Sequence, residues 1–306
     1  MAVSDRHRVV LRGLAAICAC GLVGPVVVNA DASSAVYSAA GSTPSAIQSV
    51  VDAFRAALGA DNGNLPGQQP DGRRSITWDD IALDPDPLRV TSFPSPMETL
   101  NSPPTTRGAV FSNGCQDAYC FSAGFVISGV NGFFGEGIFI PFSGARLFGS
   151  GPLQPAVTEV HFFVAGTDIP ATVSGFGVVF SDVDLATSTS VEYFNRQDES
   201  IGLAFAPPAN QGLSFVGMIF ADQRIARVRI VSGNTPLGFG NSDGPSPYPG
   251  FFNDIVAMDD FMYAEPSIFG PPTVRDDCRN DGWKRFDFPK AFSNQGDCIQ
   301  YVNTGN

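Results

Sequence analysis

Aspartates in tight groups carry the most evident chemistry in this chain. Asp79-Asp80 follow Trp78, Asp182 and Asp184 flank Val183 in "SDVD", and Asp259-Asp260 sit in the middle of the apolar run "IVAMDDFMY". A looser group, Asp243 and Asp254, brackets the segment "DGPSPYPGFFND". Calcium takes six to eight oxygen ligands, mostly carboxylates and carbonyls, in tolerant geometry, so such groups suit it. Read as a strand, the last run puts Asp259 on one face with Ile255, Ala257, Phe261 and Tyr263, and Asp260 on the other with Val256, Met258 and Met262. Both faces are apolar, and an unpaired buried carboxylate is costly. The expectation is a structural calcium ion held by Asp79, Asp80, Asp259 and Asp260. The alternative is that the aspartates end strands or pair with Arg73, Arg74, Arg227 or Arg229.

Other chemistries find less support. Beyond residue 30 the only histidine is His161, flanked by Val160 and Phe162 in a strand pattern. No GxSxG accompanies it, so a serine triad has no anchor and a structural histidine is the simpler reading. The cysteines lack zinc spacing. Glu136, Glu159 and Glu192 are acid–base candidates for a glycosidase, but sequence alone brings no two of them together. Exposed aromatics can stack on sugar faces. Tyr248, Phe251 and Phe252 in the 243–254 segment and Trp283 near the C-terminus are the candidates, with Tyr248, Phe251 and Trp283 the expected ligand-binding residues. The competing reading for the phenylalanines is core packing.

These residues need a frame. The chain has 306 residues, with Gly 33, Pro 24 and Phe 26 but only 16% charged residues. That suffices for one large or two small domains. Residues 1–30 read as a secretory signal: Arg6, Arg8 and Arg12 precede an apolar stretch too short to span a bilayer comfortably, and Val28-Asn29-Ala30 offers a cleavage site. That segment holds three arginines and one aspartate, so its removal leaves 15 basic and 29 acidic residues, a net charge of −14. Such acidity argues against nucleic acid and anionic membranes as partners. The expected location is outside the cell, or the periplasm where an outer membrane exists. Of the later cysteines, Cys115–Cys120 and Cys278–Cys298 are the expected disulfides among three arrangements. The first closes so short a loop that free thiols are its alternative.

Residues 31–43 read as a flexible terminus, and 43–59 as a helix with Thr43 or Ser45 as cap, Pro44 in the first turn, a stripe of Ile47, Val50, Val51, Phe54 and Leu58, and Gly59 as its end. Residues 60–72 form a linker or long loop, completing an N-terminal region of 31–72. Short Val/Ile/Phe runs then recur from 73 to 266, separated by turn residues, which predicts about nine or ten strands of a sandwich. "LSFVGMIF" (213–220) and "IARVRIVSG" (225–233) look like an antiparallel pair. Ile225, Arg227 and Arg229 share one face, with Ala226, Val228 and Ile230 on the other. Residues 267–306 form a tail tied by Cys278 and Cys298.

"RSITWDD", "GFGVVFSDVD", "SVEYFNRQDESIGLAFAPP", "LSFVGMIFADQRIARVRIVSGN" and "DIVAMDDFMYAEP", in this order over about residues 73–265, resemble an uncharacterised family of secreted bacterial jelly-roll domains, similar in layout to lectin-like sandwiches. The segment containing Gly282-Trp283 and Asn294-Gln295-Gly296-Asp297-Cys298 resembles a short cysteine-bracketed tail of secreted bacterial proteins. The resemblance implies an all-β jelly-roll β-sandwich, here with one short N-terminal helix, whose first and last strands lie side by side. It carries no assigned activity. The functional expectation is a secreted, non-catalytic protein that binds an extracellular glycan. Its rivals are a structural or adhesive protein without a small ligand and a glycosidase-like hydrolase.

Overall fold

The computed structural model describes residues 34–63, 65–79, 91–92, 106–112, 124–128, 139–150, 156–237, 241–286 and 289–305. The signal-like segment 1–30, Asp80, Cys115, Cys120 and Glu136 lie outside the described residues. In chain order the elements are β1 (Ser34–Gly41), α1 (Pro44–Leu58), β2 (Arg73–Ile76), β3 (Thr91–Ser92), β4 (Ala109–Ser112), β5 (Gly124–Ser128), β6 (Arg146–Ser150), β7 (Val157–Phe162) and β8 (Gly175–Val183). Then follow β9 (Ser190–Phe194), β10 (Ser200–Phe205), β11 (Ala209–Phe220), β12 (Arg227–Val231), β13 (Gly244–Pro245), β14 (Phe252–Asn253) and β15 (Ala257–Ala264). The tail adds two short 3-10 turns and a C-terminal helix, Gln295–Thr304.

Two antiparallel sheets carry the fold. The larger runs β1-β11-β8-β15-β6-β5-β3, with β2 also pairing to β15, and the smaller runs β10-β9-β12-β7-β4. The chain is therefore an all-β sandwich. The pairing of β2 with β15, Ile76 opposite Phe261 and Arg73 opposite Ala264, brings the first strand after the 60–72 loop beside the closing strand, as expected.

The sandwich interior is aromatic. Phe162 of β7 meets Phe176 of β8 and Tyr263 of β15, with ring centroids 6.2 and 5.7 Å apart. Trp78 stacks on Phe148 at 4.4 Å and lies 5.5 Å from Phe111 of β4, so it bridges the sheets. Even-numbered Phe176, Val178 and Phe180 thus point inward, and the odd positions of β8 face the other way. That outer face is covered by α1. Ile47, Val50, Val51, Phe54 and Leu58 are buried along one stripe, as the spacing predicts. Phe54 lies against Gly177 and Gly217, where an added Cβ would come within 2.8 Å of its ring. Glycine at those two positions lets the helix sit down on the sheet. The larger sheet is therefore a middle layer at β8 and β15, where every residue is buried.

Two expectations are corrected. Ser34–Gly41 is not a flexible terminus: it pairs with β11 along its whole length, Ser34 opposite Phe220 and Gly41 opposite Leu213. Without it β11 would expose an edge of unpaired N–H and C=O groups. The runs at 213–220 and 225–233 do not pair with each other. β11 lies between β1 and β8, while β12 lies between β9 and β7. Their connection crosses from one sheet to the other, and alternation within each run says nothing about which sheet it joins. Within β12 the basic row stands: Arg227 and Arg229 point outward and Val228 and Ile230 are buried, but Ile225, read on the outer face, precedes the strand and is fully buried against Val173.

Loop 60–72 is fastened by a buried ion pair. Arg74, fully buried, donates from Nε and Nη2 to Glu265 at 2.7 and 2.8 Å, and also to the carbonyls of Thr106 and Gly67. Asn62 Nδ2 and the Gln69 N–H donate to the same carboxylate. With all its partners present, the buried pair costs little.

Phe54→Ala removes the ring that fills the gap between α1, Gly177 and Gly217. It is expected to lower unfolding stability by about 3–5 kcal/mol, the range for a buried phenylalanine, read from urea melts. A loss below about 1 kcal/mol would mean that α1 is not part of the core.

Candidate functional site

Asp259 and Asp260 occupy a β-bulge. Met258 pairs with Phe180 and Phe261 with Val178, so two residues of β15 stand opposite the single Val179 of β8. Met258 and Phe261 both face the sandwich interior with their partners, which turns both aspartates to the opposite face. The strict alternation expected from the sequence is broken at this point. On that face both carboxylates meet the same short loop. Asp259 Oδ2 accepts from the N–H groups of Phe142 (2.5 Å) and Ser143 (3.2 Å), and Asp260 Oδ1 accepts from Ser143 Oγ at 2.5 Å. Asp260 Oδ2 takes an ion pair from Arg55 of α1 at 2.7 Å. Asp79 binds the far side of the loop beyond Gly144, accepting from the Ala145 and Arg146 N–H groups at 2.7 and 3.1 Å. Trp78 Nε1 donates to the Asp259 carbonyl at 2.8 Å.

Of the four residues expected to share an ion, Asp79, Asp259 and Asp260 therefore converge on the 142–146 loop, and Asp80 is outside the described residues. Their partners are backbone N–H groups, a serine hydroxyl and a guanidinium. None of the four arginines considered from the sequence is that partner. Arg73 pairs with Asp61, Arg74 with Glu265, Arg227 with Glu159 and Asp198, and Arg229 with Glu159. Arg55 was missed, although it flanks the apolar stripe next to Phe54 and so had to lie near the sheet. Burial, then repulsion from Asp260, raises the Asp259 carboxyl well above the usual carboxylate range. Burial also raises Asp260, against the Ser143 and Arg55 interactions that lower it. Asp259 Oδ1 has no hydrogen-bond partner.

The second acidic group surrounds the root of a hairpin. β13 and β14 pair, Gly244 opposite Asn253 and Pro245 opposite Phe252. The turn between them is closed by Ser246 N–H to the Phe251 carbonyl and Phe251 N–H to the Tyr248 carbonyl. At its tip Tyr248 is 71% and Phe251 70% exposed, with Phe252 at 37%. The phenylalanines are thus not core residues. The root is held by side chains. Asp243 Oδ1 accepts the Ile255 N–H at 2.9 Å, and Asn234 accepts the Asp254 N–H and donates to the Phe252 carbonyl, both at 2.8 Å. Asp254, fully buried, accepts from the N–H groups of Asp184 and Leu185 and from Ser188 Oγ. Gly233, at φ +76°, leaves room for the Asp254 carbonyl, which a Cβ would approach to 2.1 Å.

Asp182, Asp184 and Asp243 converge here, with carboxylate oxygens within 4.8 Å of one another. Asp182 is in the left-handed region at φ +70°, where β8 and β11 fall out of register, and its Oδ1 accepts the Gln211 N–H at 2.7 Å. Burial raises the Asp182 carboxyl to about 7, with Asp243, Asp184 and Asp254 adding repulsion. Burial, then Asp243, raises Asp184, and burial leads the rise at Asp243 and Asp254. The sequence showed "SDVD" and "DGPSPYPGFFND" as separate groups; only the fold joins them.

The remaining candidates lie elsewhere. Trp283 is half-buried in the tail, packed on the small core of Cys278, Phe286, Phe292 and Cys298, with Lys284 5.6 Å from its ring. Cys278 and Cys298 form the expected disulfide. The C-terminal helix was not anticipated; its signal was Asn294, whose side chain accepts the Asp297 N–H as an N-cap. His161 is half-exposed on β7, beside a cleft of about 430 Å³ that Asp198, Arg227 and Ala291 also line. Burial leads the lowering of its pKa. Glu159 accepts ion pairs from Arg227 and Arg229 at 3.1 and 2.7 Å, and Glu192 lies opposite Arg229 in register. Both glutamates therefore face cations rather than each other.

What the fold and these sites define is an all-β sandwich with one acidic cluster at a bulge within β15, another at the end of β8, and an aromatic-tipped hairpin. The chain matches no protein-family model, no curated protein and no solved structure.

A carboxyl whose folded pKa is raised holds its proton more tightly folded than unfolded. Its contribution is full below the unfolded pKa and is lost as pH rises through the folded one. In Asp259→Asn the amide oxygen can keep the Phe142 and Ser143 bonds while the NH₂ faces Asp260. The variant is expected to gain stability relative to the wild type steadily as pH rises above about 4, in urea melts. A difference that stays flat or shrinks with pH would contradict the raised carboxyl. Arg55→Met, which strands Asp260, is expected to cost about 3 kcal/mol at pH 7.

Proposed function

We propose that this protein is a non-catalytic binding protein whose ligand is a carbohydrate met by the 244–253 hairpin. The observation that carries this reading is the exposure of Tyr248, Phe251 and Phe252 together at the tip of a hairpin whose root is tied by Asn234, Asp243 and Asp254. Flat, weakly polar rings held out on a braced support suit the apolar faces of pyranose rings. Exposed apolar groups gathered in one patch mark interaction sites more often than chance placement does. Bracing lowers the ordering entropy that binding must overcome.

Other features support the same reading. The Cys278–Cys298 disulfide suits an oxidising, extracytoplasmic compartment, in line with the signal-like segment 1–30. The acidic balance disfavours nucleic acid and anionic membrane as partners. The ordered motifs that resemble secreted jelly-roll domains point the same way. A glycosidase would need two carboxylates facing a cleft, one of them free to give up a proton. Glu159 is instead engaged by two arginines.

A glycan array probed with the full chain is expected to show binding that Tyr248→Ala and Phe251→Ala each weaken by about tenfold, the loss of a stacking aromatic, with unchanged melting temperature. Absence of binding to any glycan would remove the carbohydrate reading and leave a structural or adhesive role. Binding that survives both substitutions would move the site off the hairpin.

A further inference from the structure

We infer that Asp182, Asp184 and Asp243 form a site for one divalent cation, calcium in preference to magnesium, at the root of the aromatic hairpin. The three carboxylates come from two parts of the chain: Asp182 and Asp184 at the end of β8 and just beyond it, and Asp243 immediately before β13. Their oxygens lie within 4.8 Å of one another. Ligands at about 2.3–2.6 Å from a calcium ion stand no more than about 5 Å apart, so one ion can reach all three.

A cluster of acids alone would not establish a site; the state of Asp182 does. Its side chain is fully buried. One carboxylate oxygen accepts the Gln211 N–H, and the other, Oδ2, has no hydrogen-bond partner. Both oxygens of Asp184 are also buried, with the Asn210 and Asp243 side chains beside them. Buried polar atoms are almost always satisfied, and an exception calls for a partner such as an ion. Arg55, Arg74, Arg227 and Arg229 are engaged by other carboxylates: Arg55 by Asp260, Arg74 by Glu265, and Arg227 and Arg229 by Glu159. Asp254 differs from the three. Its oxygens accept the Asp184 and Leu185 N–H groups and Ser188 Oγ, so it orients the ligand-bearing turn and is a positioning residue.

The donor set selects the metal. All three side chains offer hard oxygens, which excludes a preference for zinc, whose structural sites draw on cysteine and histidine. Carboxylates from two separate segments suit the irregular, high-coordination shell of calcium. Magnesium demands a near-ideal octahedron and keeps several waters. A bound ion would tie β8, in the middle layer, to the residue that starts the hairpin. Tyr248 and Phe251 would then be carried on a root fixed by metal as well as by hydrogen bonds.

This inference does not depend on the carbohydrate reading, and its test uses no glycan. The full chain, stripped with chelator, is titrated with calcium and with magnesium by calorimetry. Melting temperature and amide exchange are followed with and without calcium. Expected are one calcium per chain, tighter binding of calcium than magnesium, a rise in melting temperature of several degrees, and slower exchange across residues 244–253. Asp184→Asn and Asp243→Asn, both at partly exposed positions, are each expected to weaken calcium binding by about tenfold or more, since affinity follows ligand charge. Asp79→Asn, on the 142–146 loop, is expected to bind calcium as the wild type does. No heat and no thermal shift with calcium would overturn the inference. So would wild-type affinity in both Asp184→Asn and Asp243→Asn, or loss of binding in Asp79→Asn. Equal affinity for magnesium would overturn the choice of metal.

Discussion

Charge inside a sheet that is covered on both faces is the constraint around which this molecule is arranged. β8 and β15 form the middle of three layers, with α1 on one side and the smaller sheet on the other. A strand in that position has no solvent face to which a carboxylate can turn. The bulge at Asp259-Asp260 answers this by directing both side chains to one face. There a single loop supplies donors to both, and Arg55 supplies the charge. The same contacts fix where α1 lies, hold the 142–146 loop against the sheet and, through Trp78, tie β2 to β15. Taking away one donor would leave a buried charge with still fewer partners, and even with these donors burial keeps both carboxyls raised.

The second acidic group answers the same constraint differently. Asp254 is buried and well supplied with N–H and hydroxyl donors, so it behaves like Asp259 and Asp260 in organising nearby backbone. Asp182, fully buried, is left with an oxygen that the protein does not satisfy. Asp259 Oδ1 shares that lack, but among the described residues only Asp182, Asp184 and Asp243 bring three carboxylates within reach of one another. That group also sits at a place with consequences, because the segment it roots carries the most exposed aromatic side chains of the described residues. Rigid support beneath an exposed aromatic surface is what a binding site needs and what a purely structural loop does not.

Several elements were legible in the sequence because their signals are local. The α1 stripe, its Pro44 start and its Gly59 end follow from helical periodicity and capping. The alternating arginines of β12 and the short loop closed by Cys278 and Cys298 are equally local. The approach of "TWDD" to "MDDF" followed from the layout that the motifs resemble. What could not be read was pairing across distance. β1 looked like a small-residue tail because its neighbour, β11, lies far along the chain. Strands β11 and β12 looked like partners because they are consecutive, yet they join opposite sheets. Arg55 was overlooked as the partner of Asp260 because the two are separated by 205 residues.

The sequence by itself determined the all-β class, the amphipathic helix, the disulfide of the tail and the residue types able to hold a cation or face a sugar. Each depends on composition or on spacing over a few residues. Tertiary structure alone decided which aspartates share a site. Asp243 joins Asp182 and Asp184 through the return of the hairpin to the end of β8, and Asp259 joins Asp260 on one face through a bulge that periodicity cannot announce. The reason is physical: a carboxylate is identical in every sequence context, and whether it braces the backbone or waits for an ion depends on the donors that folding brings to it.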